Sequence, residues 1–310
     1  MNKESATSQI DAPPNNLVDQ YCPVWAKPYA QLARLDRPIG WWLLLLPCWW
    51  SSCLASIASH ALPNFYHLAL FLVGAIVMRG AGSTWNDILD RDLDKLVERT
   101  KLRPLASGAL RVSQAALFLG AQCLIGLAVL VQFNAFTVKL GIFSLVPVLI
   151  YPLMKRITNY PQIVLGAAFA WGGLMGWSAI FGSLDLAPVL IYLAAILWTI
   201  GYDTIYALQD IEDDSLIGIG STARAYGANV PRFVAMCYLC ATWLILAAII
   251  TSHAAGWFTL LGLLAFALHL MWQVRCIRVN ESRLALKLFR SNRMAGLLLF
   301  AGFLWQAIRL

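Results

Sequence analysis

Oxygen-bearing side chains are concentrated at two places in this chain, and their spacing suits metal chemistry. Ten of the 16 Asp and Glu lie in or just after two windows, NDILDRDLD at residues 86–94 and DTIYALQDIEDD at residues 203–214. We name these the first and second acidic motifs. In a helix, side chains four residues apart share one face. The polar residues that would share such a face are Asn86, Asp90 and Asp94 in the first motif, and Asp210 and Asp214 in the second.

The two motifs predict a site for Mg²⁺ and a phosphate ligand. Carboxylates stacked at this spacing repel one another, so a cation is expected between the two faces. Carboxylate and amide oxygens are hard ligands, which suit Mg²⁺ or Ca²⁺ better than zinc or copper. Mg²⁺ commonly takes one or two carboxylates and completes its coordination with water and substrate phosphate. The acids exceed the needs of one ion, which favours two or more ions and an anionic ligand, with a diphosphate as the best candidate.

Basic side chains follow the first motif and also occupy a loop between the two motifs. A diphosphate held by Mg²⁺ and Arg is a good leaving group, because both neutralise its developing negative charge. Within a bilayer the natural diphosphate substrate is a polyisoprenyl one, whose tail can lie among helices. The basic residues at these places include Arg91, Arg99, Arg103, Lys155 and Arg156.

The rest of the chain is typical of a polytopic membrane protein. It is 60% apolar and 13% charged, with a mean hydropathy of +0.67, whereas soluble domains are about 45–50% apolar and about 25% charged. This composition excludes an ordinary cytosolic enzyme, a disordered protein and a disulfide scaffold. Hydropathy predicts nine membrane spans, at residues 39–60, 65–85, 112–131, 135–153, 162–182, 186–203, 229–252, 254–273 and 292–309.

Charge placement predicts the topology. With the N-terminus inside, every Lys and Arg except Arg79, Lys139 and Arg309 falls on the inner side, in line with the positive-inside rule. This accounts for the net charge of +7 without nucleic acid. We therefore predict a multi-pass protein of a bacterial inner (cytoplasmic) membrane, with both acidic motifs toward the cytoplasm. Residues 1–27 are predicted to be a disordered cytoplasmic tail, and residues 28–310 a single intramembrane domain.

Two other interpretations fit part of this pattern. Acids at the inner ends of spans can be solvated loop charges that pair with nearby basic residues. Two motifs with matching spacing on one side of the membrane weigh against this. A cation-coupled transporter also places acids in spans, but it is expected to carry them near the midplane, in broken helices or repeated halves.

The motifs resemble those of the UbiA superfamily of intramembrane prenyltransferases, most closely its 4-hydroxybenzoate branch. The first acidic motif matches the family pattern N-D-x-x-D-x-x-x-D, and R-T-x-x-R-P-L-x-S-G follows at residues 99–108. The second motif matches Y-D-T-x-Y-A-x-x-D-x-x-D-D at residues 202–214, followed by I-G-x-x-S-T-A at residues 217–223. R-L-D-R-P-I-G at residues 34–40 and Y-P-x-M-K-R-x-T-N-x-P-Q at residues 151–162 complete the resemblance.

The resemblance implies a fold and a reaction. The implied fold is an all-α bundle of nine transmembrane helices around a central cavity. The implied reaction transfers a polyprenyl group from polyprenyl diphosphate to the ring carbon ortho to the hydroxyl of 4-hydroxybenzoate, and it releases diphosphate. The cofactor would be Mg²⁺, the pathway ubiquinone biosynthesis, and the partners the two substrates and membrane lipid. A family member that acts on another aromatic acceptor is the alternative.

The resemblance also assigns roles to residues. Asp203 is expected to assist deprotonation of the phenol or to position it, and Arg79 is a candidate for the carboxylate of the acceptor. The expected metal ligands are Asn86, Asp90, Asp94, Asp210 and Asp214. The expected catalytic residues are Asp203 and Asp87, and the expected substrate-binding residues are Arg79, Arg91, Arg99, Arg103, Lys155, Arg156 and Tyr206.

Two positions depart from the family pattern and bear on phosphate binding. Many relatives carry a basic residue where Gly220 stands, and some carry Lys at the position of Leu216. A phosphate contact from these two positions is therefore not expected in this chain. Arg224 is the basic residue that could partly take their place.

Overall fold

The computed structural model describes residues 16–97, 100–154, 157–209 and 220–309. Helices joined by turns and loops make up these ranges, and no strand occurs in them. The all-α prediction is confirmed. In chain order the helices are α1 Leu17–Tyr21, α2 Lys27–Leu32, α3 Ile39–Ala58, α4 Phe65–Asp94, α5 Val112–Leu130, α6 Ala135–Phe143, α7 Leu145–Met154, α8 Pro161–Ala170, α9 Gly172–Phe181, α10 Leu186–Ala207, α11 Thr222–Tyr226, α12 Val230–Thr251, α13 Trp257–Cys276 and α14 Ser282–Arg309.

Eight helical stretches among the described residues are long and apolar enough to cross a membrane. Three of them combine consecutive helices, namely α6 with α7, α8 with α9, and α11 with α12. The ninth predicted span, 292–309, lies within α14, which is not one of the eight. The prediction of nine spans is therefore approximately right. The basic residues that lower the hydropathy of α14 are Arg283, Lys287, Arg290, Arg293 and Arg309.

Helices α4 and α10, which reach into the two acidic motifs, extend past the ends predicted from hydropathy. Helix α4 has 30 residues, which corresponds to about 45 Å at 1.5 Å per residue. A bilayer core is only about 30 Å thick, so α4 is long enough to span it and to carry the whole first acidic motif on its last turns. Helix α10 likewise continues beyond its predicted end at 203 to Ala207.

The chain divides into two compact units. The first comprises Met1–Trp41 and Val73–Val129, and the second comprises Trp42–Leu72 and Leu130–Leu310. The first unit therefore contains the first acidic motif. The described part of the second acidic motif belongs to the second unit.

The core of the first unit fixes the chain that follows the first acidic motif. Helix α2, the segment after α4 and helix α5 contribute to one apolar cluster. The rings of Tyr29 and Phe118 meet edge to face in it, with centroids 5.4 Å apart. Each large apolar side chain buried there contributes about 1.5–3 kcal/mol. The buried members of the cluster are Leu32, Leu105, Leu110 and Ala115.

The core of the second unit is built around two buried tryptophans. Trp50 of α3 and Trp198 of α10 are fully buried, with ring centroids 4.9 Å apart. The indole nitrogen of Trp50 donates to the carbonyl of Gly296 at 2.8 Å, and that of Trp198 donates to Oδ1 of Asn292 at 2.9 Å. Both acceptors lie on α14, so these bonds fix the register of α14 against α3 and α10.

A close approach of α9 and α3 in the second unit depends on glycine. A Cβ placed on Gly176 would lie 2.7 Å from the backbone nitrogen of Ser52, and one on Gly172 would lie 2.9 Å from that of Cys48. Small residues four apart let two helix backbones come this close. The Gly-x3-Gly spacing in α9 is thus a packing feature.

Part of the predicted tail lies among the described residues. Leu17–Tyr21 form α1, and the side chain of Asn16 caps it by accepting a hydrogen bond from the backbone nitrogen of Asp19 at 3.0 Å. This part of the predicted tail is helical, and residues 1–15 lie outside the described residues. The prediction of one domain over residues 28–310 stays a prediction.

Candidate active site

The helical turns that carry the first acidic motif have one buried face and one exposed face. Asp87 is 0% exposed, and Asp90 and Asp94 are each 7% exposed. The side chain of Asp92, in the same turns of α4, is 71% exposed. The interpretation as solvated charges therefore applies to Asp92 and not to the three buried acids.

Arg91 lies on the exposed face of α4. Its Nε is 3.4 Å from Oδ2 of Asp92, and Nζ of Lys95 is 2.9 Å from the other oxygen of the same carboxylate. Among the described contacts, Arg91 therefore pairs with an exposed acid that was not predicted to bind metal. Its predicted role in substrate binding stays a prediction.

Asp87 is held by two guanidinium groups. Its Oδ1 accepts from Nη2 of Arg34 at 2.6 Å and from Nη1 of Arg103 at 3.3 Å. A fully buried carboxylate is costly unless it is paired and hydrogen-bonded. The two arginines supply this compensation.

Arg103 joins two predicted site acids that are separated by two helical turns. Besides Asp87, its Nη1 donates to both carboxylate oxygens of Asp94, at 2.9 Å each. Thr100 closes the end of α4, because its hydroxyl donates to the carbonyl of Asp94 at 2.9 Å. Leu105 anchors the next residues in the core of the first unit. The structure thus brings Asp87, Asp94 and Arg103 together.

Arg34 belongs to this cluster and was not among the predicted site residues. Its φ of 58° lies in the left-handed region, which residues with a side chain seldom adopt. Its Nη1 donates to the carbonyl of Gln31 at 3.1 Å. Burial lowers the pKa of Arg34 to about 10, opposed by the charge of Asp87, so the guanidinium stays protonated at neutral pH. The R-L-D-R-P-I-G stretch marked this region, but it does not reveal a partner 53 positions away.

Arg79 lies deeper in α4 than the acids and is half-buried. Its Nη1 donates to the hydroxyl of Ser83, one turn later. A Cβ on Gly40 would lie 2.5 Å from its Nε, so the glycine leaves room for this guanidinium. The stretch at residues 34–40 therefore supplies both the partner of Asp87 and the space beside Arg79.

In the second unit, Asp203 and Tyr206 occupy the last turns of α10. Both are half-buried. The ring of Tyr206 lies 4.5 Å from that of Phe289 in α14, and Tyr202 adds a second contact to Phe289 at 5.8 Å. Tyr206 is thus part of a cluster of aromatic rings from α10 and α14.

Buried hydrogen bonds anchor the start of the second acidic motif and the segment that follows it. The hydroxyls of Thr204 and Thr222 are 2.6 Å apart, and Oε1 of Gln162 accepts from the backbone nitrogen of Thr222 at 3.2 Å. All three residues are nearly inaccessible to solvent. They come from three of the matched motif stretches, so these stretches anchor the chain locally.

Steric crowding explains why glycine occupies position 220. A Cβ there would lie 3.0 Å from Cα of Asn159 and would also meet the carbonyl of Thr158. A basic side chain at this position would therefore require the 158–159 backbone to move.

Several predicted site residues fall outside the described part of the chain, so their roles stay predictions. They are Arg99, Lys155, Arg156, Asp210 and Asp214.

The described residues offer oxygens to a divalent cation but do not form a complete metal cage. No group of three His, Cys, Asp or Glu that could hold a metal occurs among them. However, Oδ1 of Asn86 and Oδ2 of Asp87 are buried and have no hydrogen-bond partner within the described structure. Buried oxygens without partners are rare, and amide and carboxylate oxygens are ligands of Mg²⁺. The residues present therefore fit such an ion.

The fold and the described site define an integral-membrane protein with a buried cluster of carboxylates and guanidiniums at the end of one span. The profile of the UbiA prenyltransferase family matches residues 44–306. The chain belongs to the UbiA prenyltransferase family, so it is a membrane prenyltransferase. The recognition made from the two acidic motifs is confirmed.

Curated relatives share the family and a common name. The chain is 47% identical to a 4-hydroxybenzoate polyprenyltransferase of Drosophila melanogaster, over 89% of this chain and 70% of that protein. It is 44% identical to the enzyme of that name from Arabidopsis thaliana, over 92% of this chain and 70% of the relative. It is 42% identical to the human enzyme of that name, over 97% and 80%.

Solved structures support the fold. A UbiA homologue from Aeropyrum pernix K1 aligns with a TM-score of 0.69 at 24% identity, over 84% of this chain and 96% of the other. A UbiA homologue from Archaeoglobus fulgidus, bound to GPP and Mg²⁺, aligns with a TM-score of 0.64 at 19% identity, over 91% of this chain and all of the other. At these identities the likeness concerns the fold alone.

The relatives contradict one prediction, the bacterial inner membrane. All three curated relatives described above are mitochondrial proteins of eukaryotes. The predicted localisation, with a site toward a bacterial cytoplasm, is therefore wrong. The physical reason is that the positive-inside rule groups loops on one side of a membrane but carries no information about which membrane it is. The multi-pass character stands.

Proposed function

We propose that this prenyltransferase acts on 4-hydroxybenzoate and depends on Mg²⁺. It transfers a polyprenyl group from polyprenyl diphosphate to the ring carbon ortho to the hydroxyl, and diphosphate leaves. The observation that carries the proposal is the shared name of relatives that are 42%, 44% and 47% identical over most of this chain.

The oxygens of the two acidic motifs are proposed to hold the metal and, through it, the diphosphate. Asn86 supports this, because its buried amide oxygen has no hydrogen-bond partner in the described structure. When bound, Mg²⁺ neutralises the charge that develops on the leaving diphosphate. An Archaeoglobus fulgidus homologue of the same fold was solved with GPP and Mg²⁺. The proposed ligands are Asn86, Asp90, Asp94, Asp210 and Asp214.

Basic side chains are proposed to complete the diphosphate site. Arg donates two parallel hydrogen bonds to a phosphate, which Lys cannot do. Arg103 supports this role, since its guanidinium already lies against Asp94. The proposed contacts are Arg91, Arg99, Arg103, Lys155 and Arg156.

Arg79 and Asp203 are the residues proposed to contact the acceptor. Arg79 would hold the carboxylate, and Asp203 would take the phenolic proton or orient the hydroxyl. The C–O bond to diphosphate breaks, the ortho carbon forms the new C–C bond, and the ring proton is lost. Apolar and aromatic side chains such as Tyr206 would exclude water, which otherwise captures the allylic cation.

Asp87 was predicted to be catalytic, and its contacts support a different part in the reaction. Both groups that contact it in the described structure are guanidiniums, those of Arg34 and Arg103. We propose that Asp87 acts through Arg103 and not on substrate.

A product assay tests this function. Purified full-length protein in detergent is incubated with Mg²⁺, geranyl diphosphate and 4-hydroxybenzoate, and the product is identified by mass. The expected product is geranylated 4-hydroxybenzoate, and excess chelator should abolish it. Reaction with homogentisate or dihydroxynaphthoate instead would show that the acceptor is wrong. Absence of product with every acceptor would contradict the enzymatic proposal.

A further inference from the structure

In the described structure, the guanidinium of Arg103 already pairs with a carboxylate of the first acidic motif, that of Asp94. We propose that Arg103 is a resident counter-ion, which occupies Asp94 until a divalent metal displaces it and then turns to the diphosphate. This rests on the proposed metal dependence. The proposal goes beyond that dependence by stating an order: the metal first displaces Arg103 from Asp94, and Arg103 then contacts the diphosphate.

The geometry of Arg103 makes it a competitor of the metal. A single nitrogen, Nη1, donates to both oxygens of Asp94 at 2.9 Å. The Arg103 side chain is 14% exposed and that of Asp94 is 9% exposed, so water cannot replace the lost partner freely. A metal ion that takes either oxygen of Asp94 must therefore weaken or break this ion pair.

Arg34 allows Arg103 to leave without stranding a buried charge. Its 2.6 Å contact with Asp87 is shorter than the 3.3 Å contact of Arg103 with the same oxygen. Arg34 is also held by its second nitrogen, which donates to Gln31. When Arg103 departs, it gives up its contacts with Asp94 and Asp87, but Asp87 keeps the shorter contact with the guanidinium of Arg34.

The exchange predicts coupling between metal and diphosphate. Without diphosphate, displaced Arg103 has lost an anionic partner, which opposes metal binding. With diphosphate present, the guanidinium gains phosphate oxygens in place of Asp94. Each ligand therefore tightens the binding of the other, and by linkage the factor is the same in both directions.

Metal titration without diphosphate tests the exchange. Mg²⁺ binding to purified full-length protein is measured by isothermal titration calorimetry for the wild type and for Arg103→Gln. The substitution removes the competitor, so we expect Mg²⁺ to bind at least about fivefold tighter, the lower end of typical coupling between sites. Inorganic diphosphate, added with saturating Mg²⁺, should bind more weakly to the same variant. These opposite directions are not expected from a residue that only stabilises the fold.

Arg111→Gln is the matched control. Arg111 is another arginine after α4, it is exposed, and its removal changes the net charge by the same amount. We expect unchanged affinities for both ligands. An equal gain in Mg²⁺ affinity in this variant would mean that general electrostatics explains the effect, and the proposal would fall.

Other outcomes are also decisive. If Arg103→Gln does not fold, Arg103→Lys carries the test, because the shorter lysine side chain holds Asp94 less well and Mg²⁺ should again bind tighter. Unchanged or weaker Mg²⁺ binding in the folded variant overturns the exchange. If the variant gives that result and the wild type still forms product, only the exchange is overturned and the proposed function stands. A wild type that neither binds Mg²⁺ nor forms product overturns both.

Discussion

A buried carboxylate requires a partner of opposite charge, and in this protein one oxygen of Asp87 has two. Arg34 approaches it from the turn between α2 and α3, and Arg103 from the segment after α4. Three charged groups from separate parts of the chain thus become one unit. Removing one member of such a unit leaves the others incompletely compensated, and this costs more than the pair contributes when intact.

Replacement of Arg34 should destabilise the protein strongly. Arg34→Gln leaves the buried charge of Asp87 with Arg103 alone, and the expected loss of unfolding free energy is about 3 kcal/mol. Chemical unfolding in detergent, followed by tryptophan fluorescence, measures it. Lys95→Gln is the control, since its pair with Asp92 is exposed and exposed pairs contribute little. Equal stability of Arg34→Gln and the wild type would contradict the structural role.

Substitutions of Asp90 and Asp92 distinguish a proposed metal ligand from a surface acid on the same helix. Asp90 is 7% exposed and is a proposed ligand, so Asp90→Ala should reduce kcat/KM by roughly 100-fold or more, as expected when charge stabilisation is lost. Asp92→Ala removes an exposed carboxylate two residues later and should leave the rate unchanged. Product formation at saturating Mg²⁺ is the measurement. An Asp90→Ala enzyme as active as Asp92→Ala would count against the metal site.

At the scale of elements, α4 shows what hydropathy misses. The span was predicted to end at residue 85, because the next residues are acidic, yet the helix continues to Asp94. The acids of its buried face are compensated by guanidiniums that lie far away in the sequence, which no local pattern reveals. The four-residue spacing, in contrast, predicted the shared face correctly, because a helix fixes that geometry by itself.

The contact of α9 with α3 gives a prediction for helix packing. A Cβ on Gly176 would lie 2.7 Å from the Ser52 nitrogen, and such overpacking costs about 1–3 kcal/mol. Gly176→Ala should therefore lower the unfolding midpoint. Gly120→Ala is the control, since nothing lies within 4 Å of a Cβ there, and alanine favours the helix by up to about 1 kcal/mol. Similar effects of the two substitutions would refute the packing argument.

At the scale of the whole molecule, the sequence was most informative about class and least informative about partners. The apolar spans and acidic motifs were sufficient to predict a helical membrane prenyltransferase of this family, which the matched profile bears out. Arg34 was missed because its role depends on a contact across 53 positions. The membrane was assigned wrongly because charge asymmetry fixes sidedness only.

The predicted topology can be tested by sided labelling. In a background without the seven native Cys, single cysteines are introduced by Ser107→Cys, Ser183→Cys and Ser282→Cys, all at exposed positions. An odd number of predicted spans separates Ser183 from each of the others. A membrane-impermeant thiol reagent applied to sealed vesicles should therefore modify positions 107 and 282 from one side, and position 183 from the other. Modification of positions 107 and 183 from the same side would contradict the span assignment.

Convergence of the two acidic motifs on one metal–diphosphate site is the central claim, and anomalous diffraction tests it most directly. Crystals of the full-length protein are grown with Mn²⁺ and a slowly reacting thio analogue of geranyl diphosphate, and the metal is located by its anomalous signal. We predict an ion within coordination distance, about 2.1 Å for Mg²⁺-type ligands, of oxygens from the Asp90 face and from the Asp210–Asp214 segment, with the diphosphate bound to it. An ion that contacts only one motif, or no ion beside the diphosphate, would contradict the account.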